Sequence, residues 1–98
     1  MKTFEVLLLP AAEAETREAF LWYFERSPLA ADAFRTEVFD AIDSLAAHAA
    51  LWPEDENGFR RHVLRHFPYT VFYELVEQTV TVMAIAHQRR RPGYWQGR

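Results

Sequence analysis

Residues 60–95, RRHVLRHFPYTVFYELVEQTVTVMAIAHQRRRPGYW, decide the fold, because they hold the chain's period-two pattern together with most of its positive charge. Arg60 to His66 alternates, setting Arg61, Val63 and Arg65 against His62, Leu64 and His66. Tyr69 to Val76 is apolar on both faces, and Thr79 to Ala86 alternates loosely. Successive side chains of a strand point to opposite faces, so three consecutive strands are expected. Phe67-Pro68 interrupts the first connection. Glu77-Gln78 is short enough for a tight hairpin but lacks the Asn-Gly or Gly that marks a primed turn, so its register stays open. The two-sided apolarity of Thr70 to Val76 places that strand centrally, with helices on one face.

Upstream the period changes. Thr3 to Leu9 (TFEVLLL) reads as a short first strand stopped by Pro10. From Ala11 to about Arg26, Ala12, Thr16, Ala19, Phe20 and Tyr23 recur at three- and four-residue spacing, the mark of an amphipathic helix. Ser27-Pro28 supplies an N-cap and a proline at the first helical position, where its missing N–H costs nothing. Ala31, Phe34, Val38, Ala41, Leu45 and Ala49 carry a second helix to about Leu51, and Pro53 with the polar run Glu54 to Gly58 ends it. With almost no loop between them, the two helices should form an antiparallel hairpin. The expected architecture is α+β, in the order β-α-α-β-β-β, with the hairpin packed on one face of a mostly antiparallel sheet, all in one domain over residues 1–98.

Charge divides the chain at the same place as period. Up to Gly58, four basic residues face twelve acidic ones, a balance of −8; from Phe59 onward seven arginines face Glu74 and Glu77, a balance of +5. Three of the four histidines lie in the second part. The total of −3 and a pI near 5.8 exclude a surface that coats itself broadly with phosphate, so any polyanion contact has to be local. There is no cysteine, which removes disulfides, thiolate metal sites and cysteine nucleophiles. No apolar run reaches the roughly 18 residues of a membrane span, and MKTFEVLLLP lacks a secretory cleavage site; a cytoplasmic location without membrane contact is expected.

Phe67-Pro68-Tyr69, Val71, Tyr73, the strand around Val80 to Ala86, then His87, Arg89 to Arg91, Pro92 and Tyr94-Trp95 fall as they do in the RelE/ParE superfamily of bacterial toxins, which the chain resembles in its last third. The upstream residues agree in element order. The resemblance is closer to the ParE-like, plasmid-stabilisation branch. It implies a growth-inhibiting toxin encoded beside an antitoxin that wraps and blocks it, with no cofactor. In the ParE branch the implied target is DNA gyrase, inhibited by binding; in the RelE branch it is messenger RNA at the ribosome, cut through a 2′-hydroxyl attack. The acidic total and the absence of any lysine after Lys2 speak against the nuclease branch. A degenerate, non-toxic binding module is the third reading.

The residues offer matching chemistry. Metal-free RNA cleavage needs an acid, a base and cations beside the phosphate, and His87, Arg89 and Tyr94 are the candidates for those roles. A run such as Arg89-Arg90-Arg91 is more often a solvated surface that pairs with an acidic partner. If the strand continues through Arg91, then Arg89 and Arg91 share a face with His87. Arg61 and Arg65 would form a second row on one face of their strand, although charge on an edge strand also guards against aggregation. The partner-binding set expected is therefore Arg61, Arg65, His87, Arg89, Arg90, Arg91, Tyr94 and Trp95, the last two free either to cover the sheet or to meet a partner. His62 and His66, about 13 Å apart if both lie in one strand, do not make a metal site, and no metal is expected. Direct DNA binding without an antitoxin is not expected.

Overall fold

The computed structural model describes residues 3–98. Its elements run β1 (Glu5–Leu8), α1 (Pro10–Arg26), α2 (Pro28–His48) with a 3₁₀ turn over Ala49–Leu51, β2 (Phe59–Val63), β3 (Tyr69–Val76) and β4 (Thr79–His87). The sheet order is β1-β4-β3-β2. β1 pairs parallel with β4, and the other two pairings are antiparallel. The expected α+β order and the mostly antiparallel sheet are both present. No helix among the described residues is long and apolar enough to cross a membrane.

The helices start where local chemistry predicts. Pro10 opens α1, and the Ser27 side chain accepts from the Ala30 N–H at 3.2 Å to cap α2, with Pro28 following it. Of the buried positions of α2, Phe34, Val38, Ala41, Ile42 and Leu45 meet Val71 and Tyr73 of β3 and Val80, Val82 and Ile85 of β4 in one core. Tyr73 is fully buried, and its hydroxyl donates to the Ala49 carbonyl at 2.7 Å, which satisfies a helix-end acceptor and a buried donor at once.

Two irregularities explain why the strands were only partly legible. The register slips between Phe72 and Tyr73, so that Phe72 opposes Ala84 while Tyr73 opposes Val82, leaving Met83 as an extra residue in β4. The bulge reverses the inside–outside alternation, which places Ile85 and His87 on the helix side with Val80 and Val82. The opposite face of the sheet is covered as well. Trp95, 2 % exposed, stacks on Phe72 with centroids 4.7 Å apart and meets Phe59 edge-on at 4.7 Å, above Met83, Ala84 and Ala86. The two small alanines let the indole lie close to the sheet. β4 is therefore buried on both sides.

β2 stops at Val63, short of the expected His66. The reason is Glu37 on α2, whose carboxylate accepts the N–H groups of Arg65 and His66 and the His66 ring nitrogen, Nδ1, at 2.8 Å. Leu64 then turns into the core, and the chain leaves the strand. Arg61 and Arg65 consequently do not share a strand face: Arg61 lies on the Trp95 side of the sheet opposite Phe72, whereas Arg65 sits beside α2.

Candidate functional site

β4 ends at His87 and the chain reverses at once. The Arg89 N–H donates to His87 Nδ1 at 3.0 Å, and the Arg90 N–H donates to the His87 carbonyl at 3.0 Å. His87 thus caps the turn that carries the three arginines, and its ring packs edge-on against Tyr69 at 5.0 Å. The strand does not continue through Arg91, so the arginines fan out instead of sharing the His87 face. Arg89 is exposed on the turn, Arg90 lies 3.9 Å over the Tyr94 ring, and Arg91 faces a cleft with Arg61. That cleft, about 220 Å³, is floored by Thr70, Phe72 and Ala86 and walled by the turn. On the helix side, His87 and Arg90 border a second cleft of about 510 Å³ with Glu15, Glu18, Trp22 and Tyr69.

One carboxylate fastens this region. Glu15 of α1 accepts from the Ile85 N–H at 3.0 Å, from the Tyr94 hydroxyl at 2.5 Å, and from the Arg98 guanidinium at 2.9 and 3.1 Å. Arg98 also donates to the Met83 carbonyl at 3.1 Å, next to the bulge. β1 pairs β4 only as far as Val82, which leaves the Ile85 N–H beyond the reach of a strand partner, and α1 brings Glu15 to it. Burial, together with the hydrogen bond to Glu15 and its negative charge, pushes the Tyr94 hydroxyl up to about 12, against opposing effects of Arg90 and Arg98. A phenol held in this way keeps its proton and directs it at Glu15, so in this structure Tyr94 is a hydrogen-bond donor to α1. Trp95 is likewise packing and not a free partner anchor.

Arg61, Arg65, Arg89, Arg90 and Arg91 make no salt bridge among the described residues, whereas Arg60 and Arg98 are paired with Glu54 and Glu15. Arg35 of α2 is the other arginine without a salt bridge among the described residues; its guanidinium lies 5.9 Å over the Phe39 ring. Among the described residues no group of three histidine or acidic side chains is placed to hold a metal.

The corner around Arg65 titrates. Burial raises the Glu37 carboxyl, but the hydrogen bonds from His66 and from the Arg65 and His66 N–H groups outweigh it and hold it below its ordinary 4.5. Burial lowers His62 below its ordinary 6.5, opposed by the nearby charge of Glu37. A group whose folded pKa lies below its unfolded value contributes stability that is complete above the unfolded value and is lost as pH falls toward the folded one. Acid destabilisation should therefore come in two stages, below 6.5 and again below 4.5. Thermal melts at about pH 7.5, 5.5 and 3.5 check this: His62→Gln is expected to remove the first stage and Glu37→Gln the second. An acid limb unchanged in both variants contradicts the assignment.

With the geometry established, comparison with known proteins gives the lineage. The family described as ParE toxin of the type II toxin–antitoxin system, parDE, matches residues 6–92. The chain belongs to the ParE toxin family. A solved structure titled "Chromosomal ParDE TA system from P. aeruginosa" superposes with a TM-score of 0.77 at 15% identity, over 87% of this chain and 96% of that one. At that identity the likeness concerns the fold. A search of curated proteins returned no match. For this ParE-family chain the sequence reading overlooked two anchoring acids. Glu15 lies four residues before the buried Ala19, at the border of the α1 core stripe, and that spacing is the signal that was available. Glu37 lies three residues after the buried Phe34 in the same way, but its partners are distant in sequence.

Proposed function

We propose that this ParE-family chain is a toxin that inhibits growth by binding a protein target such as DNA gyrase, and that a cognate antitoxin neutralises it. The observation that carries the reading is the set of unpaired arginines Arg61, Arg89, Arg90 and Arg91 presented around a rigid turn, with Arg65 unpaired at the separate corner beside α2. Guanidinium groups without an internal carboxylate keep their full attraction for an acidic partner, and on a chain of net charge −3 that attraction is local. The commitment of Tyr94 to Glu15 and of His87 Nδ1 to the turn supports binding over RNA cleavage. The chain acts in the cytoplasm, and any contact with operator DNA runs through the antitoxin. The test is a supercoiling assay with purified gyrase. The wild-type chain should inhibit it, and Arg61→Glu with Arg91→Glu should relieve the inhibition. Undiminished supercoiling in a large excess of folded protein contradicts the proposal.

A further inference from the structure

β2 is an edge of the sheet, and its outer side is open along two residues. The Leu64 N–H donates to the Tyr69 carbonyl of the neighbouring β3 chain. Direction alternates along a strand, so Arg60 and His62 also turn their backbone groups toward β3, while Phe59, Arg61 and Val63 turn theirs outward. The other end agrees with this assignment. The outward Phe59 N–H donates to the Asp55 carboxylate at 3.0 Å, and its carbonyl accepts from the Asp55 N–H at 2.7 Å. The turn thus closes the edge at Phe59, leaving the N–H and carbonyl groups of Arg61 and Val63 as a short open ladder.

A groove of about 600 Å³ runs along this edge, with Trp52, Pro53, Phe59 and Phe72 as apolar walls. Val63 is 51% exposed beside it. The charges lining the groove are spent except for one. Glu54 pairs with Arg60 at 3.4 Å, Asp55 serves the turn, and Arg61 has no acidic partner. Among the described residues no proline or bulge interrupts β2, and the register shift lies in the β3–β4 pairing.

We propose that the β2 edge is a strand-addition site for an extended segment of a protein partner in which carboxylates alternate with apolar residues. Its main chain completes the ladder at Arg61 and Val63. Its carboxylates lie on the Arg61 face, and its apolar side chains lie toward Trp52 and His62, whose rings meet edge-on at 5.2 Å. A second copy of this chain does not suit the edge, because pairing β2 with β2 sets Arg60, Arg61 and His62 beside their own kind. The surface does not depend on which protein the chain inhibits.

The probe is a blocked hexapeptide of alternating glutamate and valine, titrated into the full ¹⁵N-labelled chain. The Arg61 and Val63 amide resonances should shift, and their hydrogen exchange should slow at least about tenfold. N-methylation of the peptide on the residues facing β2 should weaken binding by at least about tenfold, since the ladder bonds are what it removes. Val63→Pro deletes an outward donor without touching the bonds to β3, so it should abolish the response while the remaining sheet resonances stay in place. Arg61→Glu should do the same by charge. Absence of binding, equal binding of the N-methylated peptide, shifts centred elsewhere, or dimerisation of the chain through β2 without peptide overturns the proposal.

Discussion

Trp95→Ala is expected to destabilise the chain by about 3–5 kcal/mol, the usual result of truncating a fully buried aromatic. Trp95 covers the sheet face that the helices do not reach, and without it Phe72, Phe59, Met83, Ala84 and Ala86 are left under a cavity open to water. Domains of this size have only about 5–15 kcal/mol in total, so the midpoint of urea unfolding should fall to half its value or less. Trp95→Phe, which keeps a ring above the two alanines, should recover more than half of the loss. A change under about 1 kcal/mol for Trp95→Ala shows that the segment after β4 does not stabilise the sheet.

Glu15→Ala is the second large effect and differs in kind. It removes no bulk from the core but strands three donors, the Ile85 N–H, the Tyr94 hydroxyl and the Arg98 guanidinium. Breaking a buried pair by deleting one partner costs about 3–5 kcal/mol. Arg98 keeps 24% of its side chain in solvent and can rehydrate, so a loss of about 2–3 kcal/mol is expected here. Glu15→Gln keeps an acceptor for one donor and should lose about half as much. The specific signature is spectroscopic. With the carboxylate gone, Tyr94 should ionise below its present value of about 12, visible as one tyrosine moving down in an ultraviolet titration. Tm loss without that movement contradicts the role given to Glu15. Loosening the segment should also free the arginine turn, so partner affinity should fall in Glu15→Ala even at temperatures where the sheet is intact.

What the sequence disclosed and what it hid follow from range. Helix caps, the α1–α2 hairpin and the central placement of β3 are written in neighbouring residues: Ser27-Pro28, the three–four spacing from Ala31 to Ala49, and the two-faced apolar run from Tyr69. The extent of β2 was set from outside the strand, by Glu37 twenty-eight residues earlier. A period-two pattern through His66 therefore overstated the strand and paired Arg61 with Arg65, which the structure separates. The bulge at Met83 gave no local sign, because no glycine or proline marks it, and it alone sends Ile85 to the helix side. At the site, the arginines were evident as a charge run. That Tyr94 and Trp95 are held, one by Glu15 across most of the chain and the other by Phe72 of β3, depended on contacts between residues distant in sequence. Chemical capacity was legible in the residue types; availability was not, because burial and hydrogen bonding decide it.

The distinction between held and free side chains is the core of the account. Tyr94, Trp95 and Arg98 fix the turn, and the proposal is that the unpaired arginines act from it. The most direct test is growth of a bacterial host after inducing the chain alone, beside a variant with Arg61, Arg89 and Arg91 all changed to glutamate. All three side chains are without salt bridges, so the variant should fold with an unchanged melting temperature. The account predicts that the wild-type chain arrests growth and that the variant, equally abundant and folded, does not. Normal growth with abundant, folded wild-type protein, or arrest by the variant as complete as that by the wild type, contradicts it.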